Sequence, residues 1–94
     1  MAEIYKALAD PTRRRILELL REQEMSAGEI AEHFDLSKPT LSGHFNVLRE
    51  AGLVETERNG TTIVYRLNVS VLEEALMALF DTFRLSGRGK GGKR

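Results

Sequence analysis

Residues 26–54, SAGEIAEHFDLSKPTLSGHFNVLREAGLV, hold two helical segments of opposite character. The first opens on Ser26 and carries Glu29 three residues on. That is the spacing of a capping box, in which each side chain takes the other's backbone N–H. Ile30, Ala31 and Phe34 form its inner face. Asp35-Leu36-Ser37 makes a tight connection, and Ser37 caps the second segment. Pro39 fits the first turn of that helix, and Gly52 ends it as a left-handed C-terminal residue. Leu41, Phe45 and Leu48 recur at helical spacing and form one buried stripe. The other face carries Lys38, Thr40, Ser42, Gly43 and Asn46, which are short or polar, and several are poor helix formers.

The flanks fit the same plan. Upstream, Ile4, Tyr5 and Leu8 make a short apolar-periodic segment. Asp10 is a good N-cap and Pro11 stands at a first helical position, where its missing N–H costs nothing. Ile16, Leu19 and Leu20 then form a stripe. Thr12-Arg13-Arg14-Arg15 puts positive charge at a helix start, where the dipole disfavours it. One arginine is expected to pair with an acid such as Glu18. Downstream the period changes: two β-rich runs flank Asn59-Gly60, a strong short hairpin signal. Asn68 or Ser70 starts a last helix, with Ser70 and Glu73 at capping-box spacing. The predicted order is four helices, a hairpin and a helix, with the third and fourth helices three or four residues apart. The expected fold is mainly α with a small β-hairpin wing, a winged helix-turn-helix over residues 1–83.

That plan explains the polar face. A recognition helix enters a major groove about 12 Å wide, so its outer residues must be short and must carry donors and acceptors. Thr40 and Ser42 can bond bases or phosphates, Lys38 can reach guanine or phosphate, and Asn46 can read adenine. Gly43 removes a side chain where the helix presses against the groove. Ser26 and Ser37, at helix N-termini, can offer backbone N–H groups to phosphates. Arg58, at the hairpin tip, is placed to touch phosphate or the minor groove. His44, two residues after Ser42, contacts DNA or the neighbouring helix.

The net charge is zero, yet its distribution is uneven. Residues 1–83 hold nine Lys/Arg against fourteen Asp/Glu, and residues 84–94 hold five Lys/Arg and no acid. An acidic domain with a basic Gly-rich end follows, the end predicted to lack packed structure. There is no cysteine, hence no disulfide framework and no thiolate metal site. His33 and His44 show no metal-ligand spacing, and neither a nucleophile–base set nor a phosphate loop is present, so no cofactor, metal or enzymatic activity is expected. The N-terminus lacks a signal-peptide pattern and no apolar run can span a bilayer, so a soluble cytoplasmic protein without membrane insertion is expected. Leu72, Leu76, Leu79 and Phe83 form more stripe than one small core can use, and Ile4, Tyr5 and Leu8 add another. A homodimer through the first and last helices is therefore expected. The competing reading is a winged-helix protein-interaction module that does not bind DNA directly; the near-neutral charge is its best support, and acid covering the recognition face would favour it.

KALADPTRRRILELL together with residues 26–67 resembles the ArsR-type (SmtB/ArsR) winged-helix repressors of bacteria, and within them the SdpR-like autorepressors that lack metal ligands. The resemblance covers residues 2 to about 80. It implies a homodimer on an inverted-repeat DNA operator, repression and a place at the nucleoid in the bacterial cytoplasm; a protein that relieves repression is a further candidate partner. By motif position it implies that Lys38, Pro39, Ser42 and Gly43 face the groove, with Thr40 and His44 beside them. Metal sensors of that family carry cysteines near the recognition helix or Asp/His/Glu ligands on the last helix, and the last helix here has no histidine.

Overall fold

The structure, a computed structural model, describes residues 1–85. The chain forms α1 (Ala2–Leu8), α2 (Pro11–Glu22), β1 (Met25–Ser26), α3 (Ala27–Ala31), α4 (Lys38–Glu50), β2 (Val54–Asn59), β3 (Thr62–Leu67) and α5 (Val69–Phe83). Most of the basic end expected over residues 84–94 lies outside the described residues. Among those described, no helix is long and apolar enough to cross a membrane.

Local chemistry sets the helix starts. The Asp10 carboxylate accepts from the amides of Thr12 (2.8 Å) and Arg13 (3.1 Å), with Pro11 at the first position of α2. Ser26 and Glu29 form the reciprocal capping box at α3. Ser37 caps α4 through the Thr40 amide. For α5 the cap is Asn68, whose carboxamide accepts from the Val71 amide, and not Ser70. Gly52 has φ +77°. The Leu53 amide reaches the Leu48 carbonyl at 3.1 Å and the Gly52 amide reaches Arg49 at 2.9 Å. Those two bonds are the paired closure of a Schellman motif, which needs the left-handed residue.

Three details depart from the sequence expectation. First, the sheet has three strands, in the order β1-β3-β2, all antiparallel, because Met25 and Ser26 pair with Tyr65 and Val64. Second, α3 ends at Ala31. Its continuation tightens into i→i+3 bonds from the His33 and Phe34 amides, so six residues, 32–37, separate α3 from α4. Third, Asn59 pairs with Thr62, so the hairpin loop is Gly60-Thr61. Gly60 has φ +64° and Thr61 has no positive φ, the sign pattern of a type II′ turn with glycine first.

The core runs from α1 to the wing. Ile16, Ile30, Leu48 and Leu53 are its largest fully buried side chains. Ile4, Leu8 and Leu72, expected at a dimer interface, pack against the core of their own chain. α5 contributes only Ala75 as a buried residue. Its other apolar face is left outward, with Leu76 40%, Met77 53%, Phe80 39% and Phe83 64% exposed.

Candidate nucleic-acid interface

α4 is built with an inside and an outside. Leu41, Phe45 and Leu48 are buried, and the Phe45 ring packs on Tyr65 of β3 with centroids 4.7 Å apart. Lys38, Pro39, Thr40, Ser42, Gly43, Asn46 and Arg49 are exposed. No acid stands in α4 before Glu50. A Cβ at Gly43 would meet nothing within 4 Å beyond its own turn of helix among the described residues, so no packing there requires glycine. An open apolar cleft of about 290 Å³ between α3 and α4 has Lys38 and Ser42 among its lining.

Charge at the N-terminus of α4 is set against the helix dipole. The first turn holds no acid, and Lys38 is its first residue. Partial positive charge on the free N–H groups disfavours an ammonium at that end unless an anion comes to it. Among the described residues neither Lys38 nor Arg58 has an ion pair. Arg58 lies exposed on β2 opposite Ile63, next to the hairpin loop.

Several predicted contact groups have internal partners. At the start of α3, where backbone N–H groups are expected to be offered to a phosphate, the Ser26 amide itself donates to the Glu29 carboxylate at 2.9 Å. The capping box uses that donor internally. The Ser37 hydroxyl donates to Thr40 Oγ1 at 2.9 Å and accepts from the Thr40 amide at 3.3 Å. The Asn46 side-chain oxygen accepts from Arg49, leaving its NH₂ group for other acceptors. Arg49 was not expected in the site; its signal was the i, i+3 spacing from Asn46. His44 is half-buried, with Nδ1 3.1 Å from an Arg13 nitrogen. It lies on the flank of α4 that meets α2.

The arginine run of α2 is resolved one residue at a time. Arg15 pairs with Glu18 at 3.1 Å, as the sequence led us to expect. Arg13 donates to the Lys6 and Ala7 carbonyls and Arg14 to that of Leu8, so both close the C-terminal end of α1. Positive charge that opposes the α2 dipole thereby favours that of α1.

Comparison with known proteins gives one consistent result. A family profile described as "Bacterial regulatory protein, arsR family" matches residues 10–56. The transcriptional repressor SdpR of Bacillus subtilis (strain 168) is 47% identical over 76 residues, covering 81% of this chain and 84% of that protein. An ArsR-like transcriptional regulator from Rhodococcus sp. RHA1 superposes with a TM-score of 0.82 at 31% identity, over 93% of this chain and 80% of that one. The transcriptional repressor BigR from Xylella fastidiosa gives a TM-score of 0.68 at 39% identity, over 87% and 84% of the two chains.

Proposed function

The chain belongs to the arsR family of bacterial regulatory proteins and is a DNA-binding transcription regulator, and we propose that it is a repressor acting as a homodimer on an inverted-repeat operator. The observation that carries the reading is the outer face of α4. Its exposed side chains are short, polar or cationic, its glycine answers to no internal need, and its N-terminal Lys38 lacks a partner among the described residues. Lys38, Thr40, Ser42 and Asn46, joined by Arg49, meet base edges and phosphates, with Gly43 and Pro39 allowing close approach. Arg58 follows the backbone from the wing. Ser37 serves by orienting the first turn of α4.

The dimer reading is supported by α5. Leu76, Met77, Phe80 and Phe83 form an exposed apolar face, with Tyr5 also exposed, of the kind that marks an interaction surface. Two such faces cover one another in an isologous contact. Repression is taken to be independent of thiophilic metals. The chain has no cysteine, and no group of three His, Asp or Glu side chains among the described residues is placed to hold an ion.

Selection of bound sequences from random duplex DNA at a fixed salt concentration tests the reading. The expected product is a pseudo-palindrome whose half-sites lie about 10–10.5 base pairs apart, or a multiple of that spacing. Failure to enrich any sequence contradicts it.

A further inference from the structure

One guanidinium reaches three acceptors on two other helices. Arg13 stands in the first turn of α2. Its Nε donates to the Ala7 carbonyl at 3.0 Å, one terminal nitrogen donates to the Lys6 carbonyl at 2.9 Å, and the other lies 3.1 Å from His44 Nδ1. Lys6 and Ala7 are the last turn of α1; His44 is the middle of α4. A guanidinium has donors and no acceptor, so the contact is a hydrogen bond only in the tautomer whose Nδ1 accepts and whose proton sits on Nε2.

Asp10 completes the corner. Burial pushes its carboxyl up, but the Arg13 and Thr12 amides and the charges of His44 and Arg13 outweigh that and hold it below its ordinary value. The charged groups facing His44 are thus Arg13 and Asp10 from the start of α2, while α1 contributes backbone carbonyls held by Arg13.

We propose that Arg13 is a positioning residue for DNA recognition: by gripping His44 Nδ1 and the end of α1 together, it fixes the recognition helix against the α1–α2 corner, and the grip holds only while His44 is neutral. The proposal rests on the DNA-reading assignment of α4. Histidine changes charge between about pH 5 and 8. Once protonated, both ring nitrogens donate, Nδ1 no longer accepts from Arg13, and a second cation stands beside the guanidinium with the Asp10 carboxylate facing it. α4 then loses the tie that sets its position relative to α1. Base contacts depend on that position, whereas sequence-independent phosphate attraction depends on it little.

The test measures affinity of the full chain for a selected operator and for random duplex at about pH 8 and about pH 5.5, bracketing the histidine range. Wild type should lose operator affinity several-fold on acidification while its random-duplex affinity does not fall. His33→Gln should keep that loss. His44→Asn puts an acceptor oxygen where Nδ1 stood, and its operator affinity should show no acid loss. Arg13→Gln should weaken operator binding at about pH 8 by about tenfold, the worth of one base contact, with random-duplex binding little changed and a flat pH profile. A wild-type operator affinity that does not fall, or a fall that persists in His44→Asn, overturns the proposal. So does Arg13→Gln weakening both duplexes by one factor. If Arg13→Gln does not fold, the His44→Asn profile decides alone. A wild type that prefers no duplex at about pH 8 sinks the DNA reading and the coupling with it.

Discussion

Phe45 and Tyr65 meet ring to ring, 4.7 Å between centroids and 31° between planes, and through that contact α4 is fastened to the central strand of the sheet. Both are buried. Phe45→Ala should cost about 3–5 kcal/mol, the range for deleting a buried aromatic, a large part of the stability of a domain this size. Tyr65→Phe, which keeps the buried ring, should not destabilise the fold in the same way, since no protein partner holds its hydroxyl among the described hydrogen bonds. Denaturant unfolding of the two variants checks both.

Gly43→Ala separates folding from binding. With open space around the added methyl, the substitution should raise helix stability by up to about 1 kcal/mol. It should nevertheless weaken operator binding, because the methyl stands between helix and groove. A thermal melt and an operator titration on one sample should move in opposite directions. A variant with unchanged affinity shows that the helix does not approach the groove at Gly43.

Asp10→Ala should cost about 1 kcal/mol at neutral pH, the usual value of an N-cap. The folded-state pKa of Asp10 lies below its ordinary value of 3.8, so its contribution is present above that value and fades as pH falls through the lowered folded pKa. The stability gap between wild type and variant should therefore close in acid. A gap that stays constant down to strongly acid pH contradicts the cap geometry.

Much of this architecture was legible because its signals are local. Asp10-Pro11, Ser26 with Glu29, Ser37 and Gly52 each act within four residues, and each marks a boundary close to where the structure puts it. The hidden features join distant segments. β1 is two residues long, too short for any period, and exists because Met25 and Ser26 meet β3. The hairpin loop lies one residue beyond Asn59-Gly60 because cross-strand register, not the dipeptide alone, chose Gly60-Thr61. Arg13 and Arg14 reach back six or seven residues to α1 carbonyls, a reach no helical spacing announces. α5 is apolar on more than one face, so periodicity alone does not say which face its own core takes, and Met77 and Phe80 stand exposed beside Leu76.

Leu76→Glu tests assembly. The side chain is 40% exposed, so the fold should survive, while a charge in a two-fold apolar contact faces its own copy. Sedimentation should show wild type as a dimer and the variant as a monomer at micromolar concentrations, with operator affinity greatly reduced. A monomeric wild type refutes the dimer.

The account stands most directly on the outer face of α4. Operator affinity and random-duplex affinity are measured at one salt concentration for wild type and for the Lys38→Ala, Ser42→Ala double variant, whose substituted side chains are both exposed. The predicted result is an intact fold with operator preference reduced by about 1–3 kcal/mol for each base contact removed. A folded double variant that binds the operator as tightly and as selectively as wild type would contradict the claim that this face reads DNA.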